Sequence, residues 1–466
     1  MGAGIAQVAA QAGHAVIVLD QNEEALARGR ETVAKGLAAL VKRGKLDDAQ
    51  ASAIASRCRW TLDAAALAPA GLVIEAIVEN ADLKRALFEK IEAVVATEAI
   101  IATNTSSLAV TALAAGRKNP ARYMGLHFFN PAPVMKLVEV IAGAETDGAL
   151  AASAQRLMNA WGKTAVMVRD APGFIVNRVA RPFYGEGWRA LEEGAADAAT
   201  IDFLFRDLAG FRMGPFELGD LIGHDVNYAA AQSVFAAYSG RTRFTPSLMQ
   251  GGLVAAGRLG RKTGRGVYSY SEERSAAPAV LTVDRAGAEI SMLAAVMDGA
   301  AIETDGVRIM ASDGRPARAV SAAINRPVVT LDFTRDPAAS GVIAFSVSGN
   351  EAKEIAFRFL AQNGKNAVML RDRPGLVVMR TLLQLANCAA DAVRDNIAEP
   401  QAIDLAMVNG VNYPFGPIAW AEKFGFGRVV AALDAIADET GEAMYRPGEW
   451  LRAAARGPCD IISQRL

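Results

Sequence analysis

Cysteine and histidine are both scarce in this chain of 466 residues, which holds only Cys58, Cys388 and Cys459, and His14, His127 and His224. The cysteines are odd in number, far apart and outside any ligand spacing. That argues against disulfides and against a metal centre, and leaves them as packing residues. No run of about 18 uncharged apolar residues is present, so no membrane-spanning helix is expected. The first residues show no charged flank leading into an apolar segment. Lys and Arg number 49 against 50 Asp and Glu, a net charge of −1 with no basic block. Neither nucleic acid nor an anionic membrane is therefore an expected partner. These absences predict a cytoplasmic protein in which any imidazole chemistry falls to one of three residues.

The composition is otherwise that of a packed globular chain, 52% hydrophobic and 21% charged. Its length exceeds one core and predicts roughly three or four units. The most informative stretch is Tyr123 to Ile141, YMGLHFFNPAPVMKLVEVI, read as two short apolar strands whose connecting loop is kept out of helix by Pro131 and Pro133. His127 falls at the end of the first strand and Glu139 inside the second. Neighbouring strands lie about 5 Å apart, so the pair reads as a base with its orienter. On these two residues alone, a core histidine beside a strand glutamate competes with that reading.

The opening MGAGIAQVAAQAGHAVIVLD predicts a small-residue helix ended by Gly13, then a buried strand closing with Asp20. Gly2 and Gly4 suit a helix packed closely on a sheet, as in a nucleotide-binding unit. The strand and G-x-G that would open a full fingerprint are absent. Asp20 stands where a carboxylate accepts from both hydroxyls of an adenosine ribose and repels a 2′-phosphate, which points to NAD over NADP. A helical section is expected from about Glu23 to Ile54, where Lys35, Lys42, Arg43 and Lys45 form a basic face that is either solvated or meets phosphate.

The strand GLVIEAIVEN carries Glu75 and Glu79, with Lys84 in the helix after it, and the strand IIATNTSSL ends in an amide and hydroxyls from Asn104 to Ser107. Asp20, Glu79, this cluster and His127 all follow strand ends, where ligands gather in open α/β sheets. From APGFIVNR, which holds Asn177, to about Gly252 the pattern is helical. GRLGRKTGRGVYSY reads as a strand-like segment closing that domain in preference to a phosphate contact, and SEERSAAPAV as a linker.

The chain also matches itself at a shift of 202. KTAVMVRDAPGFIVNR at 163–178 falls on KNAVMLRDRPGLVVMR at 365–380 with ten of sixteen positions identical, and Asp202, Gly214-Pro215 and Gly223 fall on Asp404, Gly416-Pro417 and Gly425. The helical domain is duplicated. The same shift sets Asn177 on Met379, His127 on Val329 and Glu139 on Gly341, so only one copy carries the proposed chemistry. Between the copies, 281–350 has strand-like runs, VVTLDF and GVIAFSV, with neither the length nor the glycine loop of a full cofactor domain.

MGAGIAQ, VIEAIVEN, NTSSL, GLHFFNPAPVMKLVEV, PGFIVNR and MGPFELGDLIG, in that order, resemble the NAD-dependent L-3-hydroxyacyl-CoA dehydrogenases over about residues 1 to 270. The duplicated helical domain resembles the long bacterial form, which includes phenylacetate-pathway 3-hydroxyadipyl-CoA dehydrogenases and enzymes for 3-hydroxybutyryl-CoA. The resemblance implies an α/β Rossmann-type N-terminal domain lacking its first strand (1–170), an all-α helical domain (171–270), a reduced Rossmann-like α/β domain (281–371) and a second, degenerate all-α domain (372–466). It implies oxidation of a (3S)-3-hydroxyacyl-CoA to the 3-ketoacyl-CoA with hydride transfer to NAD. The substrate expected is 3-hydroxyadipyl-CoA, with 3-hydroxybutyryl-CoA as the alternative and a catalytically impaired thioester-binding subunit as the alternative from another class.

The roles it implies are His127 as base, Glu139 as its orienter, Ser106 and Asn177 on the reacting oxygen, and Asn130 placing His127 or the thioester. On the cofactor side it implies Asp20 on the ribose, Gly2 and Asn104 beside the dinucleotide, and Glu79 and Lys84 along the nicotinamide. Lys42 and Arg43 would meet the phosphates of CoA. An acyl-CoA substrate, no metal and a homodimer are expected. A dicarboxylic tail would want a cation at the far end of its pocket, and Arg178, Arg181 and Arg189 are candidates against the reading of surface arginines.

Overall fold

The computed structural model describes residues 1–270, 277–283 and 290–457; Cys459 and 271–276 of the expected linker lie outside the described residues. The chain divides into two compact units, Met1–Val176 with Asn396–Val411, and Asn177–Asp395 with Asn412–Leu466.

The first unit runs α1 (Gly2–Gln11), β1 (Val16–Leu19), α2 (Glu23–Lys42), α3 (Asp48–Ser56), β2 (Cys58–Thr61), β3 (Leu72–Glu75), α4 (Ala81–Glu92), β4 (Ile100–Thr103), α5 (Val110–Ala114), β5 (Tyr123–Phe128), β6 (Leu137–Ala142), α6 (Gly148–Ala160) and β7 (Thr164–Arg169). Five strands form one sheet in the order β3-β4-β5-β6-β7, parallel except for the β5–β6 pair. β1 and β2 pair with each other as a separate two-stranded sheet. α1 packs on both, with Ile5 among Ala102, Leu126 and Val140, and Ala10 among Val33, Leu37 and Cys58. Helices on both faces explain why the strands read as unbroken apolar runs. Leu137 to Ile141 of β6 are all 0% exposed, and the carboxylate of Glu139 lies within that run.

The helix expected from Glu23 to Ile54 is two helices. Gly44 turns the chain at φ +67, and Asp47 starts α3 by accepting from Gln50 N (2.7 Å) while the Gln50 side chain accepts from Asp47 N (3.0 Å). Such a reciprocal cap marks a helix start even where apolar periodicity continues across it.

The later elements are α7 (Val176–Val179), α8 (Arg181–Glu192), α9 (Ala198–Asp207), α10 (Pro215–Ile222), α11 (His224–Ala237), α12 (Leu248–Ala255), α13 (Ile290–Met297), β8 (Ala301–Thr304), β9 (Val307–Ala311), α14 (Ala317–Ile324), β10 (Val328–Leu331), β11 (Val342–Val347), α15 (Asn350–Gln362), β12 (Asn366–Met369), α16 (Val378–Arg394), α17 (Pro400–Val411), α18 (Pro417–Phe424), α19 (Phe426–Thr440) and α20 (Glu449–Ala454). The second sheet repeats the order of the first as β12-β11-β10-β9-β8, with β10–β11 antiparallel. It is reduced because β8 and β9 form a hairpin, turning at Asp305 (φ +48) and Gly306 (φ +76) where the first sheet has a helical crossover. The basic tail after α12 forms isolated bridges, Gly260 to Arg265 and Arg265 to Ser269, and not a strand. It closes on α10, where Asp220 accepts from Val267 N and Tyr268 N.

The duplicated segments exchange contacts. Arg169 N donates to Ile397 O (2.8 Å) in the first unit, and Arg371 N donates to Ala195 O (3.1 Å) in the second. At the shift of 202 these are one bond with the copies swapped, the pattern of an isologous contact made inside a single chain. α17, from the second helical copy, accordingly packs on β6 and β7 of the first sheet. Pro182 separates α7 from α8; its counterpart is Gln384, and α16 runs unbroken. Among the described residues no helix is long and apolar enough to cross a membrane.

Candidate active site

Strand register brings the two central residues together, because His127 stands directly opposite Glu139 in the β5–β6 pair. Their side chains meet with Nδ1 2.6 Å from Oε2. An ionised carboxylate only accepts, so Nδ1 carries the ring proton and Nε2 keeps its lone pair. The other carboxylate oxygen, Oε1, accepts from Ile175 N and Val176 N, each at 3.0 Å. Those two N–H groups are aimed by the Pro-Gly-Phe turn, where Gly173 (φ +75) and Phe174 (φ +48) are both left-handed. The imidazole lies against Phe129 and Phe174, with ring centroids 4.5 and 5.9 Å away. His127 is 6% exposed and Glu139 0%. The result is an imidazole fixed in tautomer and orientation, beside a buried carboxylate that stabilises the imidazolium once a proton is taken.

The second copy shows what is specific to the first. In its strands Leu331 pairs with Phe345 and Asp332 N bonds Ala344 O, so Asp332 stands where His127 does and Ala344 where Glu139 does. The expected counterparts Val329 and Gly341 are thus corrected to a shift of 205 (127 to 332, 139 to 344). The connection from Val342 to Asn366 is three residues shorter than that from Leu137 to Thr164. Asp332 accepts from Val377, Val378 and Met379 N–H groups, and burial pushes its carboxyl up. The carboxylate-to-helix bonds persist there; the imidazole does not.

Around the end of β4 the polar cluster is held from below. Asn104 Oδ1 accepts from Phe128 N (2.8 Å), tying the cluster to the end of the strand that carries His127. Glu79 Oε1 accepts from Thr105 Oγ1 (2.6 Å), Ser106 N (2.9 Å), Ser107 N (3.0 Å) and Ser107 Oγ (2.9 Å). Burial pushes the Glu79 carboxyl up, but these donors and the Lys84 ammonium outweigh it and hold it below the usual carboxylate range. Lys84 itself is 1% exposed, bonded to Glu75 at 2.7 Å and 3.4 Å from Glu79. Its ammonium is enclosed by the two carboxylates. Glu75 also accepts from Thr103 Oγ1 (2.7 Å) and Ile77 N (2.6 Å).

The remaining candidates are more exposed. Asp20 ends β1 and accepts from Gln21 N (2.7 Å); Lys42 and Arg43 are exposed at the end of α2; Asn130 is exposed and joined to Pro131 by a cis peptide. Ser106 is half-buried, and Asn177 follows Val176 in the short helix α7. Gly4 approaches the loop after His127, where an added Cβ would lie 3.2 Å from Pro133 Cδ, whereas one at Gly2 would lie 3.9 Å from Ala76. Lys163, which burial pushes down to about 8, ties the same loop by donating to Ala132 O (2.5 Å) and Met135 O (2.9 Å). A dinucleotide fits the residues present: the N-terminus of α1 has no side-chain cap over its free N–H groups, and the Asp20 carboxylate is exposed at the neighbouring strand end. Among the described residues no group of three His, Cys, Asp or Glu side chains is placed to hold a metal.

Residues 1–171 match the NAD-binding domain of 3-hydroxyacyl-CoA dehydrogenase, and 173–270 and 375–458 match its C-terminal domain. The chain belongs to the 3-hydroxyacyl-CoA dehydrogenase family. Residues 309–374 further match the reduced Rossmann-fold domain of 3-hydroxybutyryl-CoA dehydrogenase. The dehydrogenase is 43% identical over 98% of its length, and 95% of the other chain, to the 3-hydroxyadipyl-CoA dehydrogenase of Escherichia coli. A crystal structure of 3-hydroxybutyryl-CoA dehydrogenase from Escherichia coli superimposes with a TM-score of 0.91 at 42% identity, covering 98% and 96% of the two chains. Human mitochondrial hydroxyacyl-coenzyme A dehydrogenase is 40% identical over 58% of this chain and 88% of its own. The protein is an NAD-dependent oxidoreductase that acts on 3-hydroxyacyl-CoA.

Two features of the site escaped the sequence reading, namely the Ile175 and Val176 N–H groups on Glu139 and the Lys163 clamp. Both lie in the duplicated stretch, whose identical K…RD…PG spacing was the available signal.

Proposed function

We propose that the dehydrogenase oxidises the 3-hydroxyl of a (3S)-3-hydroxyacyl-CoA with His127 as general base, and that its substrate is 3-hydroxyadipyl-CoA. The observation that carries the mechanism is the buried Nδ1 to Oε2 bond of 2.6 Å, which leaves Nε2 as the accepting nitrogen. Nε2 takes the hydroxyl proton as the carbon–hydrogen bond breaks, a contribution of roughly 10² to 10⁴ in rate. Glu139 stabilises the imidazolium without itself being protonated. Ser106, whose backbone N–H is anchored on Glu79, hydrogen-bonds the reacting oxygen, and Asn177 is assigned to the same oxygen on the family resemblance. Asn130 helps to place the thioester. Asp20 accepts from the adenosine ribose, Gly2 and Asn104 flank the dinucleotide, and Lys42 and Arg43 meet the phosphates of CoA. NAD, when bound, supplies the hydride acceptor.

The dicarboxylic substrate is favoured by the full-length likeness to the adipyl enzyme. The second reading is 3-hydroxybutyryl-CoA, the substrate named for the full-length structural neighbour. NADH formation from both thioesters tests the two. A kcat/KM at least about tenfold higher for the adipyl thioester is expected. Preference for the butyryl thioester overturns the substrate, and turnover of neither overturns the reading as a whole. The expected homodimer is checked by sedimentation of the same preparation.

A further inference from the structure

Of the three arginines that follow Asn177, two are paired, Arg178 with Asp395 (2.6 Å) and Arg189 with Glu186 (3.0 Å). Arg181 is 8% exposed, yet its Nη1 donates to Asn227 O over a long 3.4 Å and its Nε has no partner. Among the described residues the groups that act on its charge are the hydroxyls of Tyr184 and Tyr413 and the thiol of Cys388, with no carboxylate, and burial pushes its pKa down. A guanidinium taken out of water without a counter-ion is strongly destabilising.

Arg181 lines a cavity of about 20 Å³ that lies wholly within the second compact unit, walled by α8, α11 and the segment leading into α12. A space of that size admits one water or one monatomic ion and little else. Its walls carry a second guanidinium, Arg243, and no acidic side chain; the carboxylate that Arg243 meets outside them, Asp391 (3.3 Å), is shared with Arg394 (3.0 Å). The side chains of Tyr184 and Asn227 bond each other, and Asn227 Oδ1 already accepts from Gln250 Nε2 (3.1 Å). The cavity is therefore rich in donors and positive charge.

The duplicated helices show that these polar walls are not a requirement of packing. At the shift of 202, Arg181, Tyr184, Trp188 and Asn227 become Leu383, Ala386, Ala390 and Val429, each 0% exposed. The second copy builds the same helices around an apolar core, whereas the first keeps a buried charge beside a water-sized space.

We propose that this cavity is a binding site for a monatomic anion of chloride's size and charge, held by Arg181 with Arg243 beside it. The ion completes the pair that the protein leaves open, so halide stabilises the first helical domain by binding its folded form. An organic carboxylate or a sulfate is too large for the space, which separates this site from one for the acyl chain. The proposal stands apart from the readings of the substrate and of the catalytic base.

The test follows thermal unfolding of the full chain in mixtures of sodium chloride and sodium gluconate at constant ionic strength. The wild-type Tm is expected to rise with chloride by roughly 2–4 °C and to saturate, as binding at one site requires. A general salt effect on the protein surface does not saturate in this way. Arg181→Leu, the residue already carried at the duplicated position, and Arg181→Gln should both lose the saturable rise. Crystals of the wild-type enzyme soaked in sodium bromide should show an anomalous peak beside the Arg181 guanidinium, a result that does not hang on the folding of either variant. Water alone in the cavity at high bromide, no saturable rise in the wild type, or the same rise in both variants overturns the proposal.

Discussion

Replacing Glu139 by Gln removes one charge and leaves the volume unchanged, and the structure says how the enzyme should respond. The carboxylate serves two sides at once: Oε2 accepts from His127 Nδ1 (2.6 Å), and Oε1 accepts from Ile175 N and Val176 N (3.0 Å each). An amide cannot accept on both. With its NH₂ toward the backbone, two buried N–H groups lose their acceptor, at about 1–3 kcal/mol each. With its NH₂ toward the ring, Nδ1 must become the acceptor and the proton moves to Nε2. The second arrangement costs less in stability and removes the base. We therefore expect kcat to fall by roughly 10³ to 10⁴, the scale of tautomer loss in hydrolytic triads. Stability should fall by only about 1–2 kcal/mol, since the charge near the first turn of α7 is also lost. Steady-state NADH formation and thermal unfolding on one preparation measure both quantities. A kcat within tenfold of wild type would refute the tautomer argument, as would a large loss explained by unfolding.

Lys84→Met strips the counter-charge from Glu75, which is fully buried, and should cost about 3–5 kcal/mol in denaturant unfolding, whereas Arg85→Met, at an exposed pair with Asp82, should cost under about 1 kcal/mol. Arg380→Met removes one of two guanidinium partners of buried Glu186, which keeps Arg189 at 3.0 Å, and should therefore destabilise by less than Lys84→Met. Asp202 is fully buried, and burial pushes its carboxyl up to about 7 against the donors Tyr268 OH, Phe216 N and Glu217 N. Its folded pKa lies above the unfolded value near 4, so the folded state binds the extra proton and the stability it contributes is lost as pH rises from about 4 to 7. Asp202→Asn should flatten that part of the curve, with a wild-type-minus-variant difference of about 2–4 kcal/mol between the two ends; parallel pH curves would contradict the assignment.

How much of this was legible beforehand depended on the distance over which each feature is determined. The His127–Glu139 pair was visible because two apolar strands joined by a proline-held loop must lie side by side, and the side chains then meet by register. The backbone half of Glu139's partners was not, because it comes from a left-handed turn at Phe174, 35 residues further on. Lys84 was read along the nicotinamide beside Glu79; its pairing with Glu75 and its burial come from tertiary packing that local sequence does not carry. The helix duplication announced itself through identical residues, whereas the three-residue offset between the sheets left no identity to follow and needed strand register to find it. The break between α2 and α3 was written in the sequence as Asp47-x-x-Gln50, but apolar spacing on either side masked it.

The central claim is that His127 takes the substrate proton and does not serve to hold the cofactor. It is tested most directly by comparing kcat and the NAD dissociation constant in His127→Gln. The account predicts that kcat falls by roughly 10² to 10⁴ while NAD affinity stays within about threefold of wild type. Equal losses in turnover and in NAD binding would contradict it.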